Sequence, residues 1–401
     1  MKTIKFSLLL GLILSLAFTS CKKDDGDDKT PPASTKNLFT IENATFNTGK
    51  LPQGSVSLIN DLTINGTVIN GGSTIVSFSS PEKVKTAFVT VKGMDGYYKY
   101  DFPESDENLR ASSMYYYELI LHIAQELKEQ GFTISISCLT YGGVTSAPEN
   151  TDEIQVIEVG TGKLQISLSW DQLDDVDLHL LEPNGNEIYY GNRTSGSWEE
   201  SLKLEFDFYC YLVNKYTSHN TSSLNYDNDD DWDTLEEYME DVPFQAYFTE
   251  YESFYAAQIK EGGYLDLDSN AGCDIDAVNN ENITYENDPA TGIYYVAVDL
   301  YEKCNTSKPG AKYSVTVNYN KQLVTISDKQ SGQFAANDEG SYNDSERYHI
   351  IGAFEITASG IKAVTVTDNP FGYYDDWDYF GTSLRKGPAN TKAKFFKNKK
   401  K

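Results

Sequence analysis

Alternating apolar and polar side chains predict short β-strands along most of the chain. Between residues 38 and 159 the alternating segments are separated by turn residues, and the same pattern returns after residue 290. The earlier segments are FTIENATF, LTINGTVI, STIVSFSS, VKTAFVTVKG, GYYKYDF, FTISISCLTY and EIQVIEV, and the later ones are GIYYVAVDLYE, KYSVTVNYNK, LVTISDKQSGQF and ERYHIIGAFEITASG. Spacing of this kind predicts a mainly β protein built from β-sandwiches.

One segment of the first part follows a different period. In MYYYELILHIAQELKEQG, residues 114 to 131, Leu119, Ile123 and Leu127 lie on one helical stripe, and Gly131 is a typical residue for the end of a helix. The pattern predicts one crossover helix packed on a sandwich of residues 38–159.

Acidic residues occupy one face of two further predicted strands. In KLQISLSWDQLDDVDLHLLEPNGNEIYY, Asp175, Asp177 and His179 alternate with apolar residues, and Asp266 and Asp268 do the same in GGYLDLDSNAGCDIDAVNNENITY. Carboxylates on neighbouring strands repel each other, so we expect the two strands to share a cation.

Hard oxygen ligands, six to eight of them, are what calcium requires. The candidate ligands are Asp175, Asp177, Asp266, Asp268, Asn270, Asp274, Asp276 and Glu281. Zinc is disfavoured because His179 is the only imidazole nearby and zinc prefers several nitrogen or sulfur ligands. The alternative is that these acids cap turns and face water.

The same motifs resemble those of the YfaP-like family of uncharacterised bacterial β-sandwich domains. The matching residues are Trp170, Asp175 to His179, Pro183, Gly185, Gly262, Gly263, Leu265, Asp266, Asp268, Glu281, Asn282 and Ile283. The resemblance covers roughly residues 162 to 320 and implies a second sandwich, which we place at 160–360. It does not imply an activity, since a fold does not fix a function. The hairpin of the first sandwich resembles those of immunoglobulin-like modules.

A long insertion, residues 192–261, separates the two halves of this motif. Its aromatics stand at mixed spacing, which predicts one or two helices docked at the edge of the sandwich. Long insertions in a rigid scaffold often bind partners, and Trp198 and Trp232 are candidates for stacking on a glycan or a protein. Ordinary packing of the insertion is the alternative.

The N-terminus predicts an exported lipoprotein. Lys2 and Lys5 precede an apolar run that ends at Phe18, and Cys21 follows small residues, so residues 1–20 fit a signal peptide and Cys21 the lipid-modified site. Residues 21–37 are typical of a disordered tether. Their KKDD sequence resembles the surface-export signal of Bacteroidetes-type lipoproteins, which implies a lipid anchor in the outer membrane with the protein facing outward. A periplasmic spacer is the alternative.

The formal charge of −27 disfavours nucleic acid as a partner. A basic tail ends the predicted C-terminal extension, residues 361–401. Export permits disulfides, and the four remaining cysteines, Cys138, Cys210, Cys273 and Cys304, allow three pairings. We favour Cys273 with Cys304 because both lie in the second sandwich, with free buried thiols as the alternative.

Catalytic motifs are missing from the sequence. The chain has four histidines, no serine elbow and no His-Glu-x-x-His helix, so we predict that it is not an enzyme. The favoured function is a lipid-anchored surface protein for binding or accessory work, with calcium as its cofactor. The alternatives are a structural envelope protein, or a hydrolase that uses Asp177 and Asp268 as acid and base.

Overall fold

A computed structural model describes residues 34–104, 110–111, 113–128, 130–259, 261–305, 308–340 and 348–371. The predicted signal peptide, Cys21, most of the tether and the basic tail lie outside these ranges. Within them, no helix is both long enough and apolar enough to cross a membrane. The predicted mainly β fold is confirmed.

The first part of the chain forms three sheets. Its strands are β1 (Phe39–Ile41), β2 (Thr45–Asn47), β3 (Asn60–Thr63), β4 (Thr67–Ile69), β5 (Ser73–Ser80), β6 (Val84–Val91), β7 (Tyr97–Asp101), β8 (Arg110–Ala111), β9 (Met114–Ile123), β10 (Gly131–Phe132), β11 (Ile134–Thr140), β12 (Glu149–Asn150) and β13 (Ile154–Ile157). The strand orders are β1-β9-β5-β3 with β8 beside β9, β12-β11-β6-β7-β2, and β10-β13-β4. In the last of these, β13 and β4 are parallel.

A single apolar core joins the two larger sheets of this part. Leu121 of β9 lies in it together with Val89 of β6 and Ile134 of β11, and all three side chains are buried. Buried side chains alternate with exposed or half-buried ones along the second half of β9, as a period of two requires. Strands β6 and β11 are instead buried at nearly every position.

The predicted crossover helix is wrong, because its residues form β9. This strand pairs with β5 from Tyr115 to His122, and with β1 from Leu121 to Ile123. Leu119 and Ile123 satisfy a helical period and a strand period equally well, so they do not distinguish the two. Leu121, also fully buried, fits only the strand. Neighbouring strands on both sides decided the outcome by completing the hydrogen bonds of this segment.

In the residues that the structure describes, the second part of the chain forms two sheets and three α-helices. Its elements are β14 (Leu164–Trp170), β15 (Asp175–Leu181), β16 (Glu187–Ile188), α1 (Trp198–Tyr216), α2 (Asp229–Met239), α3 (Phe244–Gln258), β17 (Tyr264–Leu267), β18 (Asn280–Tyr285), β19 (Gly292–Glu302), β20 (Lys312–Tyr319), β21 (Gln322–Leu323), β22 (Ser331–Gln333), β23 (His349–Thr357) and β24 (Gly360–Val364). The strand orders are β17-β18-β14-β20-β21, with β22 beside β20, and β16-β15-β19-β23-β24.

A second apolar core lies between these two sheets. Leu168 of β14 and Val315 of β20 meet Leu178 of β15 and Val296 of β19 there, all fully buried. The predicted strands GIYYVAVDLYE and KYSVTVNYNK are confirmed as β19 and β20, whereas LVTISDKQSGQF contributes only the short β21 and β22.

Both ends of the predicted sandwiches extend further than the sequence indicated. Thr35, assigned to the tether, is fully buried, and its hydroxyl lies 2.9 Å from that of Thr90. At the other end β24 pairs with β23, and Phe371 packs on Tyr348. Packing and strand pairing therefore continue beyond residues 37 and 360, the limits predicted for the sandwiches.

The insertion is partly helical, as predicted. Helix α1 begins with a capping box, in which the Ser197 side chain accepts from the backbone N–H of Glu200 and the Glu200 side chain accepts from that of Ser197. Phe208 of α1 and Tyr255 of α3 pack with Tyr264, the first residue of β17. This aromatic cluster attaches the helices to the strand that leads into the acidic motif.

Candidate metal centre

Four carboxylates, which we call the acidic centre, converge in the second part of the chain. They belong to Asp175, Asp177, Asp268 and Glu281. One oxygen each of Asp177, Asp268 and Glu281 lies within 4.8 Å of the other two. Asp175 interacts electrostatically with both Asp268 and Glu281. Three of the eight predicted ligands therefore converge, and Asp175 interacts with two of them.

Strands of both sheets supply these side chains. Asp175 and Asp177 lie on β15, Glu281 lies on β18, and Asp268 directly follows β17. A carboxylate oxygen of Glu281, Oε2, accepts a hydrogen bond of 2.6 Å from the backbone N–H of Leu178, and so connects β18 to β15. The acidic centre therefore lies where one sheet meets the other.

The acidic centre is buried. Glu281 is 0 % exposed and Asp175 and Asp177 are each 2 % exposed, so these three carboxylates do not face water. Among the described residues, Asp175 Oδ1, Asp268 Oδ1 and Glu281 Oε1 have no hydrogen-bond partner. A buried carboxylate oxygen without a donor is costly, and a cation is one way to remove that cost.

Burial and like charge change how these groups bind protons. Burial, followed by the charge of Asp268, raises the pKa of Asp175 to about 8. Burial, followed by the charges of Asp177 and Asp268, also raises the pKa of Glu281 well above its usual range. Because four adjacent carboxylates cannot all stay ionised out of water, the acidic centre must take up protons or a metal ion.

Arg193 is a residue of this site that the sequence reasoning missed. Its Nη2 lies 2.5 Å from Oδ2 of Asp268, and the two side chains are 19 % and 5 % exposed. It is the only arginine in the insertion, which is otherwise rich in acids. The signal available in the sequence was a single arginine in an insertion that is rich in acids.

His179 lies beside the acidic centre but has both nitrogens engaged. Its Nδ1 lies 2.7 Å from Glu187 Oε1, and its Nε2 lies 3.1 Å from Asp299 Oδ1. The rings of Tyr189 and Tyr348 pack on the imidazole, which is fully buried. With a carboxylate at each nitrogen, His179 links β15 to β16 and β19. One ligand atom each of Asp177, His179 and Asp299 also lies within 4.8 Å of the other two, so Asp177 belongs to a second group that could hold a metal ion.

Asp266, also a predicted ligand, points away from the acidic centre. Its Oδ2 accepts from the backbone N–H of Gly160 at 2.6 Å, and its Oδ1 accepts from Asn282 Nδ2 at 2.7 Å. A bulge in the pairing of β17 with β18 falls between Leu265 and Leu267, so Asp266 and Asp268 lose the common face expected from their spacing. Asp266 instead ties β17 to the junction at residue 160.

The other three predicted ligands shape the loop before β18. Asn270 Oδ1 accepts from the backbone N–H groups of Asp276 and Ala277. Asp276 Oδ1 accepts from the Ser269 hydroxyl at 2.6 Å, and Asp274 is exposed. Asn270 and Asp276 thus stabilise the turn, and none of the three belongs to the cluster formed by Asp177, Asp268 and Glu281.

A disulfide closes the same loop. Cys273 and Cys304 are bonded, the pairing favoured from the sequence, with Cα atoms 5.5 Å apart. The backbone N–H of Gly272, next to the bridge, donates to Asp175 Oδ2 at 2.6 Å. The bridge therefore holds a donor against the acidic centre. Cys138 and Cys210 are free thiols.

Two comparisons with known proteins found no match. No family model matches the chain, and no curated protein matches it. The resemblance to YfaP-like domains accordingly rests on the motifs alone, and the geometry of the acidic centre is the basis for a function.

Trp232, a predicted binding residue, takes part in packing. Its ring lies 4.9 Å from that of Phe206, and its indole N–H donates to the backbone oxygen of Tyr226 at 2.9 Å. The backbone of Trp198 begins α1, but its side chain is outside what the structure describes. Trp232 is half-buried, so its ring offers only part of its surface to a partner.

Proposed function

We propose that this protein is a lipid-anchored, surface-exposed binding or accessory protein, without catalytic activity, whose second pair of sheets is stabilised by a calcium ion in the acidic centre. The main support is the convergence of the Asp177, Asp268 and Glu281 carboxylates. Buried oxygens of Asp175, Asp268 and Glu281 also have no donor among the residues that the structure describes. The N-terminal sequence supports the lipid anchor and the location at the cell surface.

Calcium suits this ligand set better than other ions. The four carboxylates carry four negative charges when ionised, and Arg193 supplies one positive charge at the edge of the cluster. A hard cation with two charges offsets half of these negative charges. Magnesium demands a stricter octahedron and retains its waters, which a buried cluster of flexible carboxylates suits less well.

We propose that the protein is not a catalyst for two reasons: its candidate acid is buried, and its candidate base is already paired. Asp177, one member of the acid–base pair considered from the sequence, is 2 % exposed, so a polysaccharide cannot reach it. His179, which could serve as a base, already contacts a carboxylate with each nitrogen. A hydrolase needs both a reachable acid and a reachable base.

A cation here would hold the base of the helical insertion. Asp268 follows β17, and β17 packs against α3 through Tyr264 and Tyr255. Fixing Asp268 therefore fixes the point where the helices return to the sheet. We propose that the insertion presents its outer face to a surface glycan or a protein.

A structural envelope protein without a specific ligand is the second candidate. One observation favours it: many aromatic side chains of the insertion pack against other residues of the protein. Tyr251 and Tyr255 are buried, and the indole N–H of Trp232 bonds the backbone. Glycan arrays and protein capture with the purified chain separate the candidates, because only a binding protein gives hits that Trp232→Ala weakens.

Calorimetry tests the calcium site. The chain is stripped with a chelator and titrated with calcium chloride, and its melting temperature is recorded with and without the ion. We expect heat of binding and a higher melting temperature, since an ion that binds only the folded state stabilises it. Absence of both effects would exclude the site.

A further inference from the structure

Arg193 lies at the start of the insertion and connects it to the sheet. Its backbone N–H donates to the Ser201 hydroxyl of α1 at 3.0 Å, and its carbonyl oxygen accepts from the backbone N–H of Leu265 in β17 at 2.8 Å. The backbone of Arg193 is thus fixed, and its long side chain carries the guanidinium to the acidic centre.

Two carboxylates interact with the guanidinium of Arg193. Asp268 is its partner in this structure, at 2.5 Å. Glu205 of α1 also interacts with Arg193 electrostatically, and its Oε1 accepts from the Tyr209 hydroxyl at 3.2 Å. Tyr251 of α3 lies 3.5 Å from Nη1 through its hydroxyl. The guanidinium therefore sits between the acidic centre and the helices.

A divalent ion and Arg193 would compete for Asp268. The oxygens of Asp177, Asp268 and Glu281 converge, so an ion bound by them would lie close to the guanidinium. Two cations at such a distance repel strongly in a buried place, where the dielectric constant is low. A carboxylate held by an ion also attracts a guanidinium less than a free carboxylate does.

We propose that Arg193 is the internal cation of the acidic centre, and that a divalent ion displaces it from Asp268 towards Glu205 on α1. Ion occupancy then determines whether Arg193 binds the sheet or the helix, and so regulates how the insertion packs. This inference rests on the proposed calcium site and adds the regulation of that site.

The test compares calcium binding by the wild-type chain with binding by Arg193→Gln and Glu205→Gln, all stripped with a chelator first. We expect Arg193→Gln to bind calcium about tenfold more tightly, because the competitor is gone. Glu205→Gln should bind it more weakly, because the displaced guanidinium loses its second partner. Lys203→Gln is the control: Lys203 is exposed, pairs with Asp207 on the same helix, and should leave the affinity unchanged.

Hydrogen exchange gives a second readout in the same samples. Calcium should change the exchange of α1 and α3 amides in the wild-type chain and leave them unchanged in Arg193→Gln. If Arg193→Gln unfolds without the ion, the coupling predicts that calcium restores its fold and raises its melting temperature by more than in the wild type.

The outcomes separate the two proposals. If the wild-type chain binds calcium and Arg193→Gln binds it with equal or lower affinity, the competition is refuted while the site stands. If the wild-type chain gives neither heat nor a melting shift with calcium, the site is refuted and the competition with it.

Discussion

The two carboxylate oxygens of Glu281 differ in their hydrogen bonding. Oε2 accepts from the backbone of Leu178, whereas Oε1 faces the acidic centre without a donor. One oxygen thus connects the sheets, and the other is available to an ion. Glutamine keeps the size of the side chain and its acceptor but cannot supply a charged ligand.

At the residue scale we predict that Glu281→Gln abolishes the rise in melting temperature caused by calcium. Without the ion its free energy of unfolding should stay within about 1 kcal/mol of the wild type, because the raised pKa of Glu281 makes the carboxyl neutral and glutamine resembles that form. Thermal unfolding with and without calcium measures both. Asp274→Asn is the control, since Asp274 is exposed and should change neither value. A calcium response in Glu281→Gln equal to the wild type would contradict the assignment.

At the element scale, β9 depends on side chains that a helix would not have buried. Leu121 is fully buried, yet it lies off the Leu119, Ile123 and Leu127 stripe on which the helix was predicted. We predict that Leu121→Ala lowers the free energy of unfolding by about 2–5 kcal/mol, the usual cost of a cavity of that size.

Urea unfolding measures this loss, and Tyr116→Ala on the same strand is the matched control. Tyr116 is 48 % exposed, so its replacement should cost no more than about 0.5 kcal/mol. Equal, small losses for the two variants would argue against the burial pattern of β9.

At the scale of the whole molecule, the Cys273–Cys304 bridge joins the loop before β18 to the end of β19. The two cysteines are 31 residues apart in sequence, so the bridge restricts a long loop of the unfolded chain. We predict that replacing both with serine lowers the free energy of unfolding by about 2–4 kcal/mol.

The same change should weaken calcium binding, because the loop also presents the Gly272 N–H to Asp175. Denaturant unfolding and calorimetric titration measure the two effects. Cys210→Ser removes a free thiol and should preserve calcium affinity. A double variant with unchanged stability would show that the folded contacts alone hold the loop.

Much of the fold could be predicted because strand alternation is a local property. The strands β5, β6, β19 and β20 are each eight to eleven residues long. Their pattern can be recognised within that length, because successive side chains of a strand point to opposite faces. Segment 114–131 failed because Leu119 and Ile123 fit two periods, and only its partner strands, distant in sequence, decided between them.

The candidate site was predictable only in part, for a reason of the same kind. By itself the sequence determined the β-rich class, the helical insertion and the presence of acids on two strands, because these follow from periodicity and residue type over short stretches. Tertiary structure alone decided which acids meet. Leu178 and Glu281 are 103 residues apart, the bulge in β17 sends Asp266 to the junction and leaves Asp268 at the centre, and Arg193 arrives from the insertion. Convergence depends on the register and pairing of strands, and no local pattern encodes these.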